Sequence, residues 1–529
     1  MSYLRLENIT KSFGSFISNN NISFSVEAGK IHAILGENGA GKTTLMNIIS
    51  GLYQPDNGKI YIQDKLVTIS SSQEAIQLGI GMIHQHFMLV PQLTVTENII
   101  LGRNNKLHLN LSQKQQEIAA LSQTYGLEVN PSAKVADLPV GTQQRVEILK
   151  VLYRKARLLI LDEPTAVLTR PEVVSLIKIL RQLAAAGNTI IFIGHKLDEI
   201  INLCDTVTVL RKGKVIATTT KETTPKELAE LMVGREVSLQ LNKSPTLAGD
   251  VVLSVQNLYV EDDRGVSAVN DVSFELREGE ILGLAGVDGN GQRELADSIC
   301  GLRNVKRGKI EMYPSPNSSL QEQYSSVKHK RETRFLGETG FLTPQSSLTD
   351  SYPQGRKGNR IVGYIPEDRQ KMGLVLQSKI SQNLILKVFK NLPFCRRALL
   401  QQESINNNAM SAMEEFDIRT TGVGVKVSQL SGGNQQKVVL ARELAGKPAL
   451  IVAMQPTRGL DVGAMEAVQL RLLAERERGA AILYISTELE EIMAMSDRIA
   501  VIYRGEFVGV LDAQTATVEE IGLLMGGAS

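Results

Sequence analysis

The run Gly36-Glu37-Asn38-Gly39-Ala40-Gly41-Lys42-Thr43-Thr44 has the spacing G-x-x-x-x-G-K-[ST], preceded by the apolar stretch Ile31 to Leu35. Its glycines let backbone N–H groups close around a phosphate chain, Lys42 neutralises the β and γ phosphates, and Thr43 offers a hydroxyl to Mg²⁺. An ordinary glycine turn would not place Lys and Thr in this register. A helix is expected to follow, beginning near Leu45. Further along, Leu158-Leu159-Ile160-Leu161-Asp162-Glu163 reads as a buried strand that ends in two carboxylates. Asp162 suits Mg²⁺ and Glu163 suits polarising a water molecule. His195 follows the apolar run Thr189 to Ile193, within reach of a γ-phosphate. A lone histidine at a strand end is more often structural, but its spacing matches a second copy described next, which favours a role. The chemistry these residues suit is Mg²⁺-dependent hydrolysis of a nucleoside triphosphate.

The chain repeats itself. Ile31 to Leu52 is echoed by Ile281 to Leu302, with Gly36 and Gly51 matched by Gly286 and Gly301 at a constant offset. Leu138-Pro139-Val140-Gly141-Thr142-Gln143-Gln144-Arg145 is echoed by Leu430-Ser431-Gly432-Gly433-Asn434-Gln435-Gln436-Lys437. A period this long indicates duplicated domains, because solenoid repeats are far shorter. The second copy keeps Gly286 and Gly291 but has Gln292, Arg293 and Glu294 in place of Lys42, Thr43 and Thr44. Its strand Leu450 to Gln455 ends in Met454 and Gln455, and Thr487 stands where His195 does. A thioether and an amide cannot replace a metal carboxylate and a general base. Backbone amides there, or Arg293, can still hold a nucleotide, but hydrolysis is not expected.

The elements that must carry these groups alternate apolar strands with helical patterns such as Glu172 to Ala185, which reads as a largely parallel α/β sheet in each half. The expected domains are residues 1–238 and 251–529, joined by a polar stretch 239–250 that contains Pro245. The second half carries an insertion, 313–358, rich in Ser, Gln, Gly and Pro and read as a disordered surface loop. At 529 residues the chain exceeds what one core supports, and its 43% hydrophobic and 22% charged content is ordinary for globular domains. A net charge of +2 gives no reason to expect nucleic acid as a partner. Cys204, Cys300 and Cys395 are too scattered for a zinc site or disulfide framework, and His84 with His86 lacks two further ligands. The N-terminus has no apolar leader and no stretch reaches membrane-spanning length, so any membrane role is expected to be peripheral.

With these motifs in place, the chain resembles an ATP-binding-cassette ATPase over essentially its whole length apart from Tyr313 to Gly358. The resemblance implies an α/β fold of two tandem P-loop cassettes, each with a RecA-like core, an antiparallel β subdomain and a helical subdomain, and with ATP and Mg²⁺ as cofactors. In that family two cassettes pair head to tail. Each nucleotide lies between one phosphate loop and the other cassette's signature, normally L-S-G-G-Q. Leu430-Ser431-Gly432-Gly433-Asn434 is close to it and would offer a hydroxyl and backbone amides to the γ-phosphate. In Leu138-Pro139-Val140-Gly141-Thr142, Pro139 removes both the hydroxyl and an N–H. The D-loop aspartate would be Asp461, with Thr169 its counterpart. Gln85 would be the Q-loop residue that senses Mg²⁺ and the membrane partner, with Glu367 its counterpart, and Phe13 would stack on adenine. Every missing group then belongs to one of the two sites, which leaves one competent composite site.

Two fused cassettes of this kind also resemble soluble ribosome-acting translation factors, but those usually keep both catalytic sets and a long charged linker. A DNA-repair cassette would need zinc cysteines or long coiled coils. An importer is therefore the expectation, with Gln85 to Ile99 similar to the segment that docks on membrane subunits. Pro366-Glu367-Asp368-Arg369 and Pro456-Thr457-Arg458-Gly459-Leu460-Asp461 resemble the simple-sugar and nucleoside group. Gly81 to Pro91 and Gln455 resemble its nucleoside branch, which works with a lipoprotein receptor. The resemblance implies two transmembrane permease subunits, a substrate-binding protein reached through them, and a place on the cytoplasmic face of the cell membrane.

Overall fold

The computed structural model describes residues 2–14, 16–84, 87–102, 110–165, 168, 170–194, 196–220, 222–235, 243–244, 248–313 and 362–527. The insertion 313–358 lies outside them except for Tyr313, as does much of the stretch 239–250. The chain divides into two compact units, Met1–Leu239 with Asp461–Gly463, and Gln240–Leu460 with Ala464–Ser529.

In the first unit, β1 (Ser2–Phe13) and β2 (Phe16–Glu27) pair antiparallel, with Leu4 opposite Val26, Leu6 opposite Phe24 and Ile9 opposite Ile22. All six side chains are buried, so the alternating pattern turns one face of this sheet inward. β4 (Asn57–Ile62) and β5 (Lys65–Val67) complete it in the order β2-β1-β4-β5. The central sheet is built from β3 (Ile31–Leu35), β6 (Ile80–Ile83), β7 (Leu158–Asp162), β8 (Thr189–Ile193), β9 (Thr206–Arg211) and β10 (Lys214–Thr220). Their order is β10-β9-β3-β8-β7-β6, parallel except for β10. Every residue of β3, β7 and β8 is buried, which explains why they are apolar apart from His32, Asp162 and Thr189. Helices Val95–Ile100, Leu111–Thr124 and Val140–Tyr153 form the helical part, packed through Ile99, Ile118 and Ile148.

The second unit repeats the plan. A sheet of β11 (Val251–Glu261), β12 (Ser267–Arg277) and β14 (Arg307–Met312) accompanies a central sheet that includes β13 (Ile281–Ala285) and β15 (Val362–Ile365). A short hairpin, β16 (Cys395–Arg396) with β17 (Leu399–Leu400), precedes the last strands, β18 (Leu450–Met454), β19 (Ala481–Ser486), β20 (Arg498–Tyr503) and β21 (Glu506–Asp512). The order β15-β18-β19-β13-β20-β21 is the first unit's order with each strand replaced by its duplicate. The fold is α/β, as two tandem units of the same plan. Among the described residues no helix is long and apolar enough to cross a membrane.

Two local expectations need correction. The helix after the phosphate loop starts at Lys42, three positions earlier than its apolar periodicity suggests, because Gly41 turns straight into it through a left-handed conformation at φ +97°. The helix expected from Glu172 starts at Arg170.

Candidate functional site

The phosphate loop joins β3 to the helix Lys42–Ile49 and is pinned from β2. The Asn19 side-chain amide donates to the Gly41 carbonyl at 3.0 Å, and the Ser18 hydroxyl donates to Thr44 Oγ1 at 2.8 Å. A Cβ at Gly41 would come within 2.5 Å of the Ser18 carbonyl oxygen, so only glycine lets the loop lie this close to β2. Ala40 N–H donates to the Glu37 carbonyl at 3.1 Å and closes the turn through Asn38 and Gly39. The Lys42 ammonium, almost fully buried, donates to the carbonyls of Gly36 at 2.6 Å and Glu37 at 3.0 Å. Burial lowers its pKa, and the nearby Glu163 and Asp162 carboxylates oppose that shift. Thr43 is exposed at the first turn of the helix. Its hydroxyl and the Asp162 carboxylate are hard oxygen donors, the set that fits Mg²⁺.

Asp162 ends β7, and burial, then repulsion from Glu163, raises its pKa to about 6. The ionised carboxylate therefore opposes the nucleotide-free fold above pH 6, and the penalty fades as pH falls toward the unfolded value of 3.8. Asp162→Asn should stabilise the nucleotide-free chain at pH 7.5 by on the order of 3 kcal/mol. The gain should shrink as calorimetry is repeated down to pH 4.5. Glu163 sits at φ +46°, unusual for a non-glycine residue, and its N–H donates to the Ile193 carbonyl of β8 at 2.9 Å. Strained backbone of this kind at a strand end aims a side chain into the crevice beyond the sheet.

The second unit keeps the backbone and changes the chemistry. Gln455 has φ +43°, and its N–H donates to the Ile485 carbonyl at 2.7 Å, as Glu163 does in the first unit. Its side-chain amide donates to Asp288 Oδ1 at 3.2 Å. Gln292 takes the place of Lys42, its Nε2 donating to the Val287 carbonyl at 3.0 Å, and a Cβ at Gly286 would lie 2.6 Å from that nitrogen. Gly291 repeats the left-handed turn at φ +99°. A cavity of about 300 Å³ remains, lined among others by Asp288, Arg293, Glu367, Gln455 and Thr487. It offers neither a buried ammonium nor a carboxylate at the end of β18, so it lacks the groups hydrolysis requires.

Ser431 is the N-cap of the helix Gly432–Leu444; its hydroxyl accepts from the Asn434 N–H at 3.4 Å and from the Asn434 amide at 3.1 Å. Gly433 is buried and Ser431 exposed. The duplicate helix Val140–Tyr153 starts from Pro139, with no side-chain cap. Asp461 lies just before the helix Val462–Glu477. Phe13, at the end of β1, is 46% exposed and meets Tyr53 edge-on at 5.5 Å, so it is a surface aromatic and not a core one. Gln85, His195 and Thr169 lie outside the described residues.

Sequence reasoning passed over the supports. Besides Ser18 and Asn19, Gln144 donates to the Pro164 carbonyl at 2.6 Å and Gln436 to that of Pro456 at 2.8 Å, tying each helix to the turn after β7 or β18. Thr165 with Glu199 at 2.6 Å and Thr457 with Glu491 at 2.7 Å do the same for the helix after β8 and β19. The signal was present, since both Gln-Gln pairs survive duplication.

A model of the ABC transporter family matches residues 19–166 and 269–458. The chain is 45% identical to the nucleoside import ATP-binding protein NupA of Lactococcus lactis subsp. cremoris (strain MG1363), the match covering 99% of this chain and 98% of that protein. It is likewise 45% identical, with the same coverage, to the guanosine import ATP-binding protein NupO of Bacillus subtilis (strain 168). The glucose import ATP-binding protein TsgD13 of Haloferax volcanii is 40% identical, over 99% of this chain and 96% of that protein.

Proposed function

Because the chain belongs to the ABC transporter family, we propose that it is the ATP-hydrolysing subunit of an importer that carries a nucleoside or simple sugar through separate membrane permease subunits. The observation that carries this reading is end-to-end similarity to two nucleoside import ATP-binding proteins. A ribosome-associated role has no such support. A substrate-binding lipoprotein would deliver cargo to the permeases, and the chain would sit on the cytoplasmic membrane face.

One hydrolytic site is proposed, assembled from Gly36 to Thr44, Asp162, Glu163, Gln85 and His195 of the first half with Ser431 to Asn434 and Asp461 of the second. Phe13 would stack on adenine. The support is complementarity, since each half retains what the other has lost. In hydrolysis Glu163 takes a proton from water, whose oxygen bonds to the γ-phosphorus while the bond to the bridging oxygen breaks and ADP leaves. Lys42 and the Ser431 turn stabilise charge on the transferring group. Thr43, Asp162 and Gln85 would hold Mg²⁺, which would supply positive charge against the phosphate oxygens.

Deleting the gene and measuring uptake tests the transport reading. Loss of labelled guanosine uptake with glucose uptake intact is expected, and the reverse would move the cargo to sugars. Unchanged uptake of nucleosides and simple sugars, with the protein sedimenting on ribosomes, would overturn it.

A further inference from the structure

Pro366-Glu367-Asp368-Arg369 leaves β15 where Gln85 follows β6 in the first half. We infer that this segment braces the signature turn, with Arg369 as a positioning residue for hydrolysis at the site proposed above, a reading on which the inference rests.

Arg369 Nη1 donates to the Arg458 carbonyl at 2.8 Å, just ahead of Gly459 and Leu460. A Cβ at Gly432 would lie 2.7 Å from Arg369 Nη2 and 3.5 Å from its Cζ, so the guanidinium is laid against the first residue of the signature helix. Its Nε is buried and has no hydrogen-bond partner among the described residues, so the group is held by packing and by Nη1. Glu367 pairs with the Arg458 guanidinium and so holds the same loop. Gln370 Nε2 donates to Gln435 Oε1 on the signature helix at 3.0 Å. Asp368 caps the turn by accepting from the N–H groups of Gln370 at 2.9 Å and Lys371 at 3.0 Å. Gly373, at the end of that turn, approaches Val439 so closely that a Cβ there would lie 3.2 Å from its methyl carbon.

These contacts join three stretches that the second half contributes to hydrolysis: the Ser431 to Gly433 turn, the helix behind it, and the chain running into Asp461. The first half shows why the arrangement is specific. Val140 stands at the position of Gly432, where a side chain would occupy the space the guanidinium takes. Gly432 is therefore glycine for a second reason besides its place in the motif, namely that Arg369 fills the space of a side chain. Glu367, which also lines the altered cavity, is tied to this loop by its pair with Arg458.

A positioning role predicts a loss in turnover and not in nucleotide affinity. In full-length protein, Arg369→Ala should lower kcat for ATP hydrolysis at least about tenfold, while KM for MgATP stays within about twofold. Arg369→Lys should recover only part, because an ammonium cannot span Arg458 and Gly432 with a fixed fork. Gly432→Ala collides with the guanidinium, so its damage should be smaller in the Arg369→Ala background than in the parent. If Arg369→Ala melts early, Arg369→Gln and Arg369→Lys carry the same cycle. Parental kcat in Arg369→Ala, or strictly multiplicative losses with Gly432→Ala, would overturn the brace. Ser431→Arg separates the two ideas. If it hydrolyses normally, the shared site falls and the brace with it; if it is dead while Arg369→Ala is normal, only the brace falls.

Discussion

Glu163→Gln is expected to bind MgATP at least as tightly as the parent and to release phosphate roughly three orders of magnitude more slowly. The amide is nearly isosteric, so the φ +46° turn and the N–H bond to the Ile193 carbonyl should persist, and the variant should fold. What disappears is the proton acceptor, together with a negative charge that would stand near the γ-phosphate. The chain already contains the comparison, because Gln455 holds the same backbone with an amide. The reciprocal change, Gln455→Glu, should restore little. Gln292 and Thr487 would remain, and the new carboxylate would face Asp288, whose Oδ1 now accepts from the Gln455 amide at 3.2 Å. Phosphate release and filter binding on the purified variants check both. Residual turnover above about a tenth of the parent in Glu163→Gln would show a second working base, contrary to the effect expected of a general base.

How much of this was legible follows from where the information lies. The strands around Leu158 to Leu161 and Ile190 to Ile193 could be read because a strand buried on both faces needs a run of apolar residues, and both strands are wholly buried. The phosphate loop could be read because its residue types are dictated by the ligand. The helix start at Lys42 could not, since Lys-Thr-Thr follows the phosphate-loop pattern and carries no helical period of apolar residues. Ser18 and Asn19 were missed for a different reason. They bond a backbone carbonyl and a hydroxyl across the fold, a job many polar residues can do, so nothing in their types marks them. Arg369 was visible only as one letter of a resemblance, and its contact with Gly432 depends on three-dimensional approach.

The duplication sharpens the physical point. Both halves retain the central strand order, the left-handed glycine before the helix, the positive-φ residue after β7 or β18, and the Gln-Gln tie to the following proline. Among the changes are groups that would touch phosphate or water in the proposed site. An ammonium becomes an amide at Gln292 and a carboxylate becomes an amide at Gln455. Decay by loss of stability would have struck the core first, yet β13, β18 and β19 are as completely buried as their duplicates.

Ser431→Arg should therefore be nearly as damaging as Lys42→Ala, although the two residues belong to different halves. Lys42→Ala removes the cation at the phosphates and leaves the Gly36 and Glu37 carbonyls without their donor, for a loss of about 10²-fold to 10³-fold in turnover and a weakened grip on nucleotide. Ser431→Arg acts otherwise. It removes the N-cap hydroxyl that accepts from Asn434, and it puts a long side chain where a γ-phosphate would meet the helix N-terminus. Losing the cap alone costs about 1 kcal/mol, too little to unfold a domain of this size, so circular dichroism and melting should stay near the parent. The decisive comparison is with Pro139→Arg, the same substitution at the duplicate position. That turn has no hydroxyl to lose and would serve only the altered cavity, so turnover should fall little. Equal damage at both positions would mean that the two sites are alike, and full activity in Ser431→Arg would mean that the first half hydrolyses ATP without the second half's signature.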